Sequence, residues 1–306
     1  MAKKEFYGRG KLLLTGEYAV VNGAKALALP TQKGQKLTVS TGRGSDIKWK
    51  SLTPDGETWF TAKISLFDFS ALKSSDAAIA EKLENILEAA VRLNSDFLST
   101  WKGIKVTTEL EFPQEWGWGS SSTLVYNIAQ WADVDPYDLY AATFGGSGYD
   151  IACAGAKGPL LYHKVSDQLV DVRSASIDTS LQKHLYFIYS GQKAESKEAL
   201  QYLQEHKMEG SLVEEVSSIS SSLSESSKVI DWVKGIEIHN ALLTDYLDRD
   251  CPAAAFPDFQ GAVKALGAWG GDFLLAVSPE SPSYVKSYFS EKALPKVLTY
   301  ADVAVS

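Results

Sequence analysis

The chain has 306 residues, enough for one large domain or for two ordinary ones sharing a cleft. Its 45% hydrophobic and 22% charged content is that of a globular protein, and a formal charge of −8 argues against nonspecific nucleic-acid binding, which rests on basic patches. Cys153 and Cys251 make no disulfide framework, the four scattered histidines show no metal-ligand spacing, and no apolar stretch is long enough to span a bilayer.

The segment from Met1 to Phe6 is basic, but no apolar run follows it before Gly8. A secretory signal is therefore not expected, and the cytoplasm is the default location. Lys11 to Leu14 reads as a strand, Thr15-Gly16-Glu17 as a tight return, and Tyr18 to Val21 as a second apolar run closed by the turn signal Asn22-Gly23. Lys36 to Ser40 and Ile47 to Leu52 suggest further strands, with Gly42-Arg43-Gly44 and Pro54-Asp55-Gly56 as turns. Ala77 to Leu93 places Ile79, Leu83, Ile86, Leu87 and Ala90 on one helical face.

Ile104 to Leu110 alternates like a strand and leads into Glu115-Trp116-Gly117-Trp118-Gly119-Ser120-Ser121-Ser122-Thr123-Leu124. Two glycines let backbone N–H groups approach an anion, and a helix starting behind them adds unpaired donors and the positive end of a dipole. Hydroxyls at that place can bond a phosphate oxygen or help hold Mg²⁺. The segment suits phosphate without being a Walker loop, since the chain has no Gly-x-x-x-x-Gly-Lys-Ser/Thr. Plain loop and N-cap chemistry is the competing reading.

Two more glycine-rich stretches follow. Gly145-Gly146-Ser147-Gly148-Tyr149-Asp150 delivers an aspartate just before the small apolar run Ile151 to Ala154. That aspartate could accept or orient a substrate hydroxyl proton, or could bond its own turn. Gly267 to Gly271 could close over a ligand or form a hairpin bend. Lys11 could stabilise developing charge or be a solvated strand-edge lysine, and Glu17 could be a hairpin-end carboxylate.

Later strands are expected at Leu160 to His163, Leu185 to Tyr189, Val263 to Leu266 and Phe273 to Val277. In the serine-rich tract from Gly210 to Lys228, Leu212, Val216, Ile219 and Leu223 recur at helical spacing and Ile230 and Val233 extend the stripe. This predicts one core-facing helix with a serine-rich wet face. A mixed α+β architecture with two lobes fits best, with a boundary near Asp178 to Lys183.

The order of these motifs resembles the GHMP kinases, the superfamily of galactokinase, homoserine kinase, mevalonate kinase and phosphomevalonate kinase. Gly10 to Gly23 is similar to the family's "GKxxLxGEyaVvxG" motif, and Gly117 to Ser121 to its "GLGSS" loop. Ser147 to Ala152 is similar to "SGxDxA", Ser190 to Ser196 to "TGxKxST", and Lys264 to Gly271 to "KxTGAGGGG". These run in family order over nearly the whole chain. The string Ser147 to Ala152 with Lys157 to Tyr162 behind it suggests a distinct bacterial subgroup.

The resemblance implies an N-terminal mixed α/β lobe (residues 1–182) and a C-terminal ferredoxin-like α+β lobe (183–306), with the active site in the cleft and ATP and Mg²⁺ as cofactors. Asp150 would be catalytic base or hydroxyl-orienting group and Lys11 its electrostatic partner. Gly117, Gly119, Ser120, Ser121 and Ser122 would bind the triphosphate, with Ser121 also on Mg²⁺. Glu17, Tyr18, Gly148, Lys193, Ser196, Gly267 and Ala268 would meet the substrate, a small anionic hydroxy acid or phosphorylated compound. Neither nucleic acid nor membrane is an expected partner, and a homodimer is a candidate assembly.

The chain departs from the family pattern in four places. Trp118 replaces the usual leucine, Trp116 stands where a small residue is preferred, and Trp269 replaces a glycine. These rings are expected to narrow or reshape the nucleotide site. The acidic Mg²⁺ ligand that mevalonate kinases carry roughly a dozen residues before the aspartate has no clear counterpart, although Asp138 lies near. No motif places the adenine pocket; the variable stretch from Phe60 to Asp76 is a candidate. Mevalonate kinases usually have histidine at the place of Tyr18, and "GEYAV" is more usual in phosphomevalonate kinases, whereas the chain length suits a compact mevalonate kinase. Mevalonate is the first choice of acceptor and phosphomevalonate the second. A non-catalytic nucleotide- or metabolite-binding relative is the alternative of another class.

Overall fold

The computed structural model describes residues 3–100, 102–166, 168–191, 202, 206–267 and 271–305. The chain divides into two compact units that interleave along the sequence: residues 1–10, 33–114 and 118–155 form the first, and residues 11–32, 115–117 and 156–306 the second. No helix among the described residues is long and apolar enough to cross a membrane.

In the first unit, β1 (Lys4–Leu13, as far as Gly10) and β2 (Ala26–Thr41, from Lys33) are followed by β3 (Asp46–Leu52), β4 (Thr58–Ser65), β5 (Ala71–Ser74), α1 (Ala77–Leu93), β6 (Ile104–Leu110), α2 (Ser120–Ala132), α3 (Pro136–Thr143) and α4 (Tyr149–Gly155). The strands run in the order β5-β4-β3-β6-β2, with β1 also on β2; β3 is parallel to β6, and the β2–β6, β3–β4 and β4–β5 pairs are antiparallel. Period-two alternation sends Ile47 and Trp49 of β3, and Phe60, Ala62 and Ile64 of β4, to one buried face. Helix α1 covers that core with Leu83, Ile86, Leu87 and Ala90. Its start is fixed by Asp76, whose carboxylate accepts the Ile79 N–H at 3.0 Å.

The second unit holds the first residues of β2 paired with β7 (Leu160–Ser166), and β8 (Leu169–Ser174) on β7. There follow α5 (Thr179–Gln182), β9 (Leu185–Tyr189), α6 (Gly210–Glu225), α7 (Val229–Leu247), β10 (Ala262–Leu266), β11 (Phe273–Val277), α8 (Pro282–Glu291), β12 (Val297–Thr299) and α9 (Tyr300–Val303). Strands β10-β11-β9-β12 make an antiparallel sheet. Tyr186, Ile188, Val263 and Leu274 from it pack with Val285 and Phe289 of α8. A large mixed sheet and a smaller antiparallel one backed by helices are the expected fold class.

Two local details go beyond the sequence pattern. The apolar run from Tyr18 to Val21 is not extended: Ala19–Asn22 is a 3-10 turn entered through Tyr18 at φ 63° and closed by Gly23 at φ 87°. A positive φ at both ends prevents extension. The serine-rich tract forms one helix, as expected, but that helix does not run on to Ile230 and Val233. Helix α6 stops at Glu225, Ser226 accepts the Lys228 N–H, and its hydroxyl donates to Asp231 of α7 at 2.7 Å. Ile230 is consequently 54% exposed rather than part of the stripe. The serines are not all wet: Ser220 is buried and shares a hydrogen bond with Thr15, and Ser217 accepts the Lys25 N–H.

Candidate active site

Helix α2 begins at Gly119, whose φ of 89° is a backbone state a side chain would strain. Ser122, expected among the phosphate ligands, is buried, and its hydroxyl donates to the Gly119 carbonyl at 3.0 Å. Thr123 donates to the same carbonyl. These two hydroxyls brace the helix start, whereas Ser120 is half-buried and Ser121 exposed. Ser120 and Ser121 also line a cavity of about 130 Å³ in this unit, walled by Trp49, Trp59, Phe60 and Phe144, with Leu83 and Ile86 of α1. Among the described residues Trp59 Nε1 has no hydrogen-bond partner. The candidate stretch from Phe60 to Asp76 contributes Phe60 alone to this wall; the rest comes from the strands before it, from α1, from the start of α2 and from Phe144.

Asp150 stands in the first turn of α4, entered through Gly148 at φ 86°, whose carbonyl accepts the Ile151 and Ala152 N–H groups. Ile151, Cys153 and Ala154 are buried and leave Asp150 partly exposed. One partner of its carboxylate was not anticipated from sequence: the Tyr140 hydroxyl of α3 lies 3.4 Å from Asp150 Oδ2. Tyr140 in turn stacks on Phe144, with centroids 6.1 Å apart. Two rings therefore connect the cavity wall to Asp150. Its signal was available only as spacing, ten residues before Asp150. Asp138 is exposed on α3. No three Asp, Glu, His or Cys side chains group as a metal site among the described residues. Mg²⁺ keeps several waters and is held largely by substrate phosphates, so an exposed hydroxyl such as that of Ser121 would supply one ligand and phosphate and water the rest.

In the second unit Lys11 is half-buried on β1, and Tyr18 is buried among Ala19, Val216 and Leu243. Glu17, expected to meet substrate, is 2% exposed, and its carboxylate pairs with Lys264 of β10, itself 1% exposed. Its carboxylate is engaged inside the unit. Burial pushes Glu17 above the usual carboxylate range and Lys264 below the usual ammonium range, each opposed by the other's charge. His239 of α7 is fully buried, and its pKa is driven well below the ordinary value by desolvation and then by the Lys264 charge. Neutral His239 accepts the Gly16 N–H at Nε2, 3.1 Å away. Its 3.4 Å approach to Glu17 Oε2 is then not an ion pair. Neither the Lys264 role nor that of His239 was visible in a motif.

Gly267 has φ 81°, and no described residue comes within 4 Å of where a Cβ on it would stand, while Lys193, Ser196, Ala268 and Trp269 lie outside the described residues. Trp116 is buried on Tyr189 and Phe273 in the second unit, with Lys296 over its ring, and Trp118 is buried on Phe112 in the first. Neither ring lines the cavity beside Ser120. Gly117 is held at φ 65°, and a Cβ there would collide with the Asp272 carboxylate. Gly117→Ala is expected to lower stability by about 1–2 kcal/mol from backbone strain alone, read as a reduced urea midpoint at unchanged slope.

No protein-family model and no curated protein matches the sequence. Solved structures do match it. The Methanococcus jannaschii mevalonate kinase superposes with a TM-score of 0.71 at 14% identity, covering 97% of each chain. Streptococcus pneumoniae phosphomevalonate kinase, in complex with phosphomevalonate and AMPPNP, gives 0.72 at 16% identity over 98% of this chain and 100% of that one. Lactococcus lactis galactokinase complexed with galactose gives 0.68 at 12% identity over 99% and 93%. At such identities the likeness is one of fold, and it extends over almost every residue. The chain has the GHMP kinase fold.

Proposed function

We propose that the chain is an ATP- and Mg²⁺-dependent kinase that phosphorylates a hydroxyl of a small anionic isoprenoid precursor, with mevalonate as the favoured acceptor. The observation that carries this reading is the cavity of the first unit, where an aromatic and aliphatic wall ends on Ser120 and Ser121 at the start of α2. A flat apolar base and a charged phosphate tail need those two surroundings side by side. Trp59, whose Nε1 is buried without a partner among the described residues, is one of the wall residues. Mg²⁺, when bound, neutralises charge on the transferred phosphoryl group, and Ser121 is the residue that would hold it.

Asp150 accepts or orients the proton of the acceptor hydroxyl, and Lys11, by the family resemblance, stabilises charge on the transferred group. Gly117, Gly119 and Ser120 give backbone donors to phosphate. Gly148 and Gly267, with Lys193, Ser196 and Ala268, are proposed on the acceptor side. Phosphoryl transfer leaves the protein mainly positioning and charge stabilisation, which these residue types can supply.

Phosphomevalonate kinase is the second reading, favoured by Tyr18 in the Gly16 to Val20 string. A non-catalytic binding protein is the alternative of another class; of its motives, Trp118 is a packing residue, while Trp269 lies outside the described residues. The test is ADP release measured in parallel with mevalonate, phosphomevalonate, homoserine and galactose. Turnover with mevalonate is expected. Turnover with phosphomevalonate alone would replace the first reading by the second, and ATP binding without any turnover would favour the binding protein.

A further inference from the structure

Asp150 is approached by a residue that no motif singled out. Tyr140 projects from α3, its ring stacked on Phe144 at an interplanar angle of 23°, and its hydroxyl lies 3.4 Å from Asp150 Oδ2. The glycine loop passes over this hydroxyl: a Cβ on Gly146 would stand 3.7 Å from Tyr140 Oη. Gly145, Gly146 and Gly148 all have positive φ, so the loop follows a path that glycines adopt without strain. Phe144, the partner of the stack, also lines the cavity that ends on Ser120 and Ser121. Tyr140 is thus held on one side by a cavity-wall ring and overlain by the loop that leads to Asp150.

A hydroxyl–carboxylate distance of 3.4 Å is long for an O–H···O⁻ bond, which is about 2.5–2.7 Å when well formed. Catalytic hydrogen bonds are often loose without ligand and tighten in the reacting complex. We propose that Tyr140 is a positioning residue for phosphoryl transfer: by donating to Asp150 Oδ2 it fixes the orientation in which the carboxylate receives the acceptor proton. This rests on the kinase reading above. In the step served, the acceptor O–H bond breaks and its proton passes to Asp150. The acceptor oxygen forms a bond to the γ-phosphorus, and the bond from that phosphorus to the β,γ-bridging oxygen breaks, its electron pair leaving with ADP. Because Phe144 belongs to both the stack and the cavity wall, filling the cavity would press on the ring that carries the hydroxyl.

The test is a double-mutant cycle on the full chain, with Mg²⁺-ATP and mevalonate, using Tyr140→Phe, Asp150→Asn and both together. Tyr140→Phe keeps the ring and its stack and removes one hydroxyl. The expected result is a fall in kcat of about tenfold with KM for ATP and for mevalonate within twofold, an unchanged melting temperature, and no further loss when Tyr140→Phe is added to Asp150→Asn. A merely structural role would lower the melting temperature and act equally in both backgrounds. Wild-type kcat for Tyr140→Phe, or an independent loss in the Asp150→Asn background, overturns the proposal while leaving the kinase reading intact. Full turnover by Asp150→Asn, or none by the unmodified chain, removes the reading on which it rests.

Discussion

Asp150→Asn is expected to lower kcat with mevalonate by about 10²–10⁴-fold while leaving ATP affinity within a few-fold. The change keeps the shape of the side chain and its place in the first turn of α4, and removes only the ability to take a proton. The buried neighbours Ile151, Cys153 and Ala154 hold the helix independently of that carboxylate, so the fold is expected to survive. Nucleotide affinity should survive as well, since Asp150 is not among the residues that line the cavity beside Ser120 and Ser121. Turnover by ADP release and ATP binding by calorimetry separate the two effects. Equal loss of both would place Asp150 in the nucleotide site instead of at the acceptor. A small effect on turnover of phosphomevalonate would fit the second reading, because an acceptor that is already a phosphate anion has no hydroxyl proton to give up.

What could be read without coordinates was what short-range periodicity controls. Ala77 to Leu93 and Ile104 to Leu110 are a helix and a strand over those very residues, because an unbroken 3.6 or 2.0 repeat leaves one face to bury. Two segments depart from their pattern at a single residue. Tyr18 adopts a positive φ for which a tyrosine gives no warning, and Ser226 ends a helix inside a serine tract whose serines are alike in sequence. The candidate site divides in the same way. Glycines and hydroxyls at fixed offsets pointed to the α2 start and to α4. The cavity wall draws on β3, β4, α1 and the end of α3, so no local string could contain it. Glu17 and Lys264 are 247 residues apart, and Ser220 and Thr15 are 205 apart. Those pairings are decided by how the second unit packs, and a glutamate after a glycine reads equally well as a ligand.

The Glu17–Lys264 pair carries the largest expected effect on stability. Lys264 Nζ donates to the Glu17 carboxylate and, at 2.9 Å, to the Ala265 carbonyl, with almost no access to water. Lys264→Met removes the charge, keeps most of the volume, and leaves a carboxylate buried without its cation. Breaking a buried pair in this way costs about 3–5 kcal/mol, a large share of the roughly 5–15 kcal/mol that holds a typical domain together. Adding Glu17→Gln is expected to restore most of the loss, since the buried site then holds no charge. The pH dependence has a definite sign. A carboxyl whose folded pKa is raised contributes stability that is present below its unfolded value of 4.5 and lost as pH rises through the folded value. In Lys264→Met that folded value rises further, so the penalty is greatest near neutrality and shrinks on acidification. His239 has the opposite sign, its contribution being full above 6.5 and lost as pH falls below it. Desolvation acts on it in both proteins, but Lys264→Met removes the second cause of its shift, so its smaller loss at acid pH in the variant adds to the same trend. Urea unfolding of both proteins at several pH values from 5 to 8 measures the difference directly. A penalty that did not change with pH would mean that Glu17 is not the group left exposed to the loss of its partner.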